Sequence, residues 1–356
     1  MGSANRIYLL DILRGFAAFS IVIFHYRIFY GSPISSNKII HNEQPFFSVL
    51  SYAYEYGWMA VQFFFILSGY IFYLFYYQKI NSKNINFNQF FILRFSRLYP
   101  LHLLCLLTIS LLIYSNFENY SVQNFNFYHF FLNIFLVQNW GIESGPSFNE
   151  PAWSISVEMM MYIIFYFVST RKNIYLSTFF LIILSLLLFS HFKLIAYALF
   201  CFNLGGLTFL FHEKIKNKIL FNKNKKFYFI LLILSVLIFL SLILKTVILN
   251  SIQIKIIFLI FIFPLILVLS DLIQDHFIIK KISFLGIIGN FSYSIYMIHY
   301  VFQIFIIKIS IFYNYEIDFN SKYFFILYLV SLIILSILSY YLFERPVQKI
   351  IRKKFI

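Results

Sequence analysis

The chain has 356 residues, 61% of them hydrophobic and 23% aromatic, with 50 Phe and only 12% charged. A soluble domain is about 45–50% apolar and about 25% charged, so this composition excludes one and marks an all-α, polytopic membrane protein. The formal net charge of +15 fits basic cytoplasmic loops rather than a nucleic-acid partner.

A membrane helix needs about 20 apolar residues. Ten such runs follow one another, roughly at 8–30, 58–78, 95–115, 153–170, 174–191, 194–212, 227–249, 254–271, 284–308 and 322–344. The first is too long for a signal-peptide core and lacks a small-residue cleavage site, so it is read as a retained span. Of the 28 Lys and Arg, twenty fall in the segments that are cytoplasmic when the N-terminus is inside, and seven in the opposite set. That bias predicts a multi-pass plasma (inner) membrane protein with both termini in the cytoplasm. Residues 116–152 carry Glu118, Glu143 and Glu150 and no Lys or Arg, which suits an outside loop. Within it, 126–139 is apolar but short, and reads as an interfacial or re-entrant helix. Cys105 and Cys201 lie inside apolar runs, with no disulfide framework and no metal spacing. No internal repeat is visible. One domain, 1–356, is expected, ending twelve residues after Glu344 with no appended soluble domain.

Ionisable groups inside apolar runs are costly and usually face a protein interior or a water-filled cavity. The stretch Asp11–His25 of span 1 carries three of them, Asp11, Arg14 and His25. Asp11 and Arg14 are three apart and share a helix face. Arg14 and His25 are eleven apart, close to three turns, so they lie on one stripe about 16 Å apart. A cation and an imidazole so placed can hold two ends of a long ligand; the plainer alternative is a snorkelled Arg and a hydrogen-bonded core His. In span 2, Ser68-Gly69 reads first as a small-residue packing site. Arg94 and Arg97 open span 3 on the cytoplasmic side, either as a bidentate phosphate clamp or as an ordinary positive flank. Trp153-Ser-Ile-Ser-Val-Glu158 opens span 4 from the outside. Glu158 matches His25 in depth, which allows a His–carboxylate pair or a solvated vestibule acid. Tyr296 and His299 share a face of span 9. Glu344 closes span 10 at the inner surface, within reach of Arg14 or Arg97 as an ion pair. Gly-x-Ser-x-Gly and Walker A sequences are absent, and the remaining histidines show no ligand pattern, so metal is not expected.

Six pieces of this pattern resemble the acyltransferase 3 family, integral-membrane O-acyltransferases of bacterial surface glycans. They are Leu10-Asp11-Ile-Leu-Arg14-Gly15 with His25; Phe63-Phe-Phe-Ile-Leu-Ser68-Gly69-Tyr70; Arg94-x-x-Arg97-Leu-Tyr-Pro100; Trp153-Ser154 with Glu158; Ser292-Tyr-Ser-Ile-Tyr296 with His299; and Glu344-Arg-Pro346. They run in family order across nearly the whole chain. The resemblance implies a bundle of ten helices, a cytoplasmic acyl-CoA donor and an extracytoplasmic hydroxyl acceptor, usually on a sugar or lipid-linked sugar. It maps the family's functional residues to Arg14, His25, Arg94 and Arg97. It implies no permanently bound cofactor, acetyl-CoA being a co-substrate. Many members carry a fused extracytoplasmic hydrolase-like domain that this chain lacks, so a separate extracytoplasmic acyl-transfer protein or a one-step transfer would complete the reaction.

The residues suit that chemistry. Acyl transfer to an alcohol needs a base, and His is the usual one. His25 is therefore the expected base and Glu158 its orienting acid. Arg14, Arg94 and Arg97 are the expected donor-binding residues. Asp11, Ser68, Trp153, Tyr296, His299 and Glu344 are expected in support. The competing reading is a transporter or exporter of a small anion or modified glycan, because intramembrane ionisable groups also mark transport paths.

Overall fold

Lipid offers no hydrogen-bond partner to backbone N–H and C=O groups, and a helix pairs them within the segment. The apolar runs accordingly fold as helices. The computed structural model describes residues 7–31, 43–114, 124–218 and 257–356, and every regular element among them is helical.

In chain order these are α1 (Tyr8–His25), α2 (Phe47–Tyr56), α3 (Met59–Phe72), α4 (Gln78–Asn81), α5 (Phe87–Tyr114), α6 (Phe127–Ile134), α7 (Trp153–Ser169), α8 (Ile174–Leu188), α9 (Lys193–Lys218), α10 (Phe263–Leu272), α11 (Phe277–Ile282), α12 (Ile288–Phe312), α13 (Lys322–Leu338) and α14 (Arg345–Phe355). Short 3-10 or π turns join several of them into longer runs. Among the described residues, seven runs are long and apolar enough to cross a membrane: Tyr8–Tyr30, Met59–Asn81, Phe87–Tyr114, Glu150–Ser169, Lys193–Lys214, Phe277–Phe312 and Lys322–Phe355. The chain is a multi-pass membrane protein. The spans expected at 174–191 and 254–271 correspond to the shorter apolar helices Ile174–Leu188 and Phe258–Leu272. The one expected at 227–249 lies outside the described residues.

Two boundaries differ from the hydropathy reading in ways that matter. α5 begins at Phe87 rather than near 95, so Arg94 and Arg97 lie two turns inside a helix instead of at its mouth. The run from Lys322 continues past Glu344 to Phe355. In the 126–139 stretch only eight residues, Phe127–Ile134, are helical. That is about 12 Å, too short to span.

The chain divides into two units. The first comprises Met1–Ala17, Met59–Asn86 and Ile163–Asn290. Its core is a close crossing of α3 and α9. A Cβ on Gly69 would fall on the Phe202 carbonyl, and one on Gly205 would fall on the Ile66 carbonyl. Only hydrogen at both positions lets the two backbones touch, which is how helices associate where lipid removes the hydrophobic drive. Ser68-Gly69 is thus part of a packing seam. Deeper in this unit the Tyr70 hydroxyl lies 2.9 Å from His212 Nδ1, and His212 faces Asp271 at 3.8 Å.

The second unit comprises Ala18–Trp58, Phe87–Tyr162 and Phe291–Ile356. Aromatic rings fill one end of it. Phe29 meets Phe319 and Tyr328 with centroids 4.8 and 5.2 Å apart, and the Tyr26 hydroxyl donates to the Phe319 carbonyl at 2.9 Å. The Ser156 hydroxyl donates to the Leu136 carbonyl at 2.9 Å, and Trp140 Nε1 donates to the Ser156 carbonyl at 3.0 Å. These bonds pin the loop after α6 to the first turns of α7.

Candidate active site

α1 changes its winding directly after His25. It tightens into a 3-10 turn over Tyr26–Tyr30 that ends on Gly31 in the left-handed region, φ 67°. A change from i+4 to i+3 bonding re-pairs backbone carbonyls. The Gln303 side-chain amide takes up that of His25, donating at 3.1 Å. The next residues are anchored too: Arg27 donates to the Phe24 and Tyr54 carbonyls, each at 3.0 Å.

The His25 ring is buried, and so is its partner, His299 of α12. His25 Nδ1 and His299 Nε2 are 2.7 Å apart. The ring planes differ by 5° and the centroids are 5.0 Å apart. The centroid separation exceeds the nitrogen separation by about two ring radii, so the rings meet edge to edge in one plane with the lone pair in line. His299 Nδ1 lies 2.6 Å from the Tyr296 carbonyl oxygen. The Tyr296 hydroxyl donates to the Pro151 carbonyl at 2.5 Å and lies 2.7 Å from Ser154 Oγ. Asn149 Nδ2 donates to the Met297 carbonyl at 3.2 Å. The segment that opens α7 at Trp153 therefore fixes α12 at the level of His299.

Charged groups gather further along the same unit. Tyr162, one turn on from Glu158, donates its hydroxyl to Glu158 Oε1 at 2.5 Å. Both act electrostatically on the buried Arg94, as do two like charges, Arg97 and Arg352. Arg352 reaches in from α14, with Nε donating to Ser96 Oγ at 3.1 Å and Nη2 to the Leu93 carbonyl at 3.0 Å. Glu344 accepts from Ser294 Oγ at 2.5 Å and from Ser339 Oγ at 3.0 Å, and faces the charge of Arg97. Ser339 and Glu344 are five apart. They meet because residues Ser339–Glu344 form a π turn, whose repeat is i to i+5. Tyr296 also feels the charge of Glu158, which links this group to the histidine pair. His25, His299 and Tyr296 at one end, and Glu158, Tyr162 and Arg94 at the other, make a polar column in an apolar unit whose two ends are hydrogen-bonded within themselves and related to each other by charge alone.

A buried guanidinium is tolerated only with compensating charge and hydrogen bonds, because desolvation costs several kcal/mol. Glu158 is the anion that acts on Arg94, and Tyr162 holds Glu158. The expected pairing of Glu158 with His25 is replaced by two other partnerships, His25 with His299 and Glu158 with Tyr162 and Arg94. Matching depth on two helices sets height and says nothing of the direction in which each side chain points. Glu344 makes its hydrogen bonds to Ser294 and Ser339, and Arg97, one of its two expected partners, acts on it only through its charge.

Arg14 belongs to the first unit, where its guanidinium pairs with Asp11 one turn earlier on α1, as the three-residue spacing predicts. Because α1 is continuous from Tyr8 to His25, the three-turn spacing between Arg14 and His25 is kept. Three residues that build or hold this site were not singled out from sequence. Tyr162 is four residues from Glu158, so helical spacing pointed to it. Arg352 sits in a basic C-terminal run that reads as topology alone, and no spacing links it to Ser96. Gln303 is four residues from His299 and shares its face.

The acyltransferase domain family known as acyltransferase 3 matches residues 7–345. Comparison with curated proteins and with solved structures finds no match. The match covers every element that builds the polar column, from His25 on α1 to Glu344 before α14. The chain belongs to the acyltransferase 3 family of acyl-transfer enzymes.

Proposed function

We propose that this protein moves an acyl group, acetyl above all, from cytoplasmic acyl-CoA to a hydroxyl of an extracytoplasmic glycan or related acceptor. The observation that carries the reading is the polar column, with a histidine pair at one end and a group of three arginines at the other, inside an acyltransferase-family chain. His25 is the general base. Its imidazole takes the acceptor hydroxyl proton as the oxygen forms its bond to the thioester carbonyl carbon. The carbon–sulfur bond then breaks, the thiolate takes up a proton, and the products are the ester and free CoA. Arg94 and Arg97 hold donor phosphates through charge-assisted, bidentate bonds. Glu158 and Tyr162 hold Arg94 in place. The acceptor enters from the His25 side.

Purified protein in lipid nanodiscs, given radiolabelled acetyl-CoA and a panel of sugar acceptors, tests this directly. The expected result is release of free CoA with label in the acceptor, abolished in His25→Ala. Acetyl-CoA left intact with every acceptor, together with flux of an anion or glycan in proteoliposomes, would replace the enzyme with a transporter. Reporter fusions test the orientation: one after Arg352 should report cytoplasm, and one near Glu143 the outside.

A further inference from the structure

We infer that His299 is a positioning residue that sets the tautomer of His25, holding its proton on Nδ1 and leaving Nε2 as the basic nitrogen. The catalytic part of this inference rests on the proposed role of His25 as base; the tautomer does not.

The assignment follows by counting donors. His299 Nδ1 lies 2.6 Å from the Tyr296 carbonyl oxygen, and a carbonyl only accepts. The proton of neutral His299 is therefore on Nδ1. A neutral imidazole has one N–H, so His299 Nε2 presents a lone pair. That lone pair lies in line with His25 Nδ1 at 2.7 Å. The bond between the rings requires a proton, and only His25 Nδ1 can supply it. His25 Nε2 is then the acceptor of its ring.

The surroundings favour a neutral pair. Both rings are buried, and a buried charge is costly unless paired. The scaffold is fixed at both ends. Tyr296, whose carbonyl sets the chain of protons, is held by Pro151 and Ser154, and the His25 backbone is held by Gln303. When His25 Nε2 takes the acceptor proton, the ring becomes a cation. Its Nδ1–H still points at the His299 lone pair, so the new charge finds an acceptor without rotation of the ring.

The test is nitrogen-15 NMR of histidine-labelled protein in nanodiscs, with the His25 signals assigned by their loss in His25→Gln. The expected wild-type spectrum shows a protonated Nδ1 and an unprotonated Nε2 for His25. His299→Leu removes the acceptor. His25 should then move toward the Nε2–H form, with kcat for acetyl transfer falling by about 10²-fold and KM for acetyl-CoA staying within about twofold. His299→Gln places an amide oxygen near the lost lone pair and should restore the Nδ1–H form and much of kcat. A wild-type His25 protonated on Nε2 overturns the inference, as does a His299→Leu variant with wild-type kcat. The wild-type spectrum decides even if His299→Leu fails to fold. It is read without substrate, so a protein that shows the expected tautomer yet transfers no acyl group would remove the proposed function and keep the tautomer.

Discussion

At the His25 end of the column the histidine pair has its protons placed. Tyr296 donates to Pro151, His299 to Tyr296 and His25 to His299. At the arginine end, Arg94, Arg97 and Arg352 share their neighbourhood with Glu158 and Glu344, three cations against two anions. The two ends solve different problems in one apolar unit. A base must be neutral and aimed before it acts, so its hydrogen bonds are closed among themselves. A site for a polyanionic donor works best with positive charge in excess, because the ligand then completes the charge balance as it binds. Under the proposed function, turnover falls to the first end and donor affinity to the second.

The largest effect should come from the first end. His25→Ala is expected to lower acetyl transfer by about 10²–10⁴-fold, the usual contribution of a general base. Acetyl-CoA affinity and membrane level should be unchanged. Radiolabel transfer and calorimetric binding on the same preparation measure both, and a loss of affinity in step with turnover would break the division.

Next come the arginines. Arg97→Lys and Arg94→Lys keep the charge and lose the planar fork. Each should weaken acetyl-CoA binding by about tenfold or more, as expected when a charge-assisted bond of about 1.5–3 kcal/mol is compromised. Acceptor affinity should not move, since the proposed acceptor enters from the His25 side. Equal acetyl-CoA affinities in wild type and the Lys variants would leave these residues as positive flanks and ion-pair partners, and would reopen the transporter reading.

Tyr296→Phe sharpens the comparison from the support side. It deletes one of the donors to the buried Pro151 carbonyl, which still accepts from Ser154 Oγ, so the loss is that of one hydrogen bond, about 0.5–1.5 kcal/mol. Thermal unfolding should show that loss, with donor affinity retained. The smallest effect is expected for Arg352→Gln. Arg352 is half-buried and its charge is partly screened. Removing it should weaken acetyl-CoA binding by no more than about fivefold, as for partly exposed ionic contacts of roughly 0.2–1 kcal/mol. The difference should shrink in high salt. A tightening of donor binding in this variant would mean that Arg352 only repels Arg94 and Arg97.

Hydropathy made the helices legible, because the bilayer sets a minimum apolar length and forces helical pairing of the backbone. Spacing made the Asp11–Arg14 pair legible, because three residues on one helix always share a face. Helix limits were less legible. The turns around Asn88, Gln89 and Arg94 are polar enough to pass for a loop, yet α5 begins at Phe87 and Arg94 is buried within it. The π turn before α14 left no trace in composition, although it brings Ser339 onto Glu344.

From the residues alone came the membrane class, the presence of His25, His299, Arg94 and Arg97 in apolar surroundings, and the family they resemble. Each is a property of one segment read along its own axis. Which side chains meet was decided by tertiary structure. Height along a helix is encoded in spacing, whereas the direction a side chain faces depends on how its helix packs. Glu158 and His25 match in depth, yet Glu158 turns to Tyr162 and Arg94, and His25 to His299. Likewise nothing in the C-terminal basic run marks Arg352 for Ser96; α14 has to pack along α5 before the two can bond.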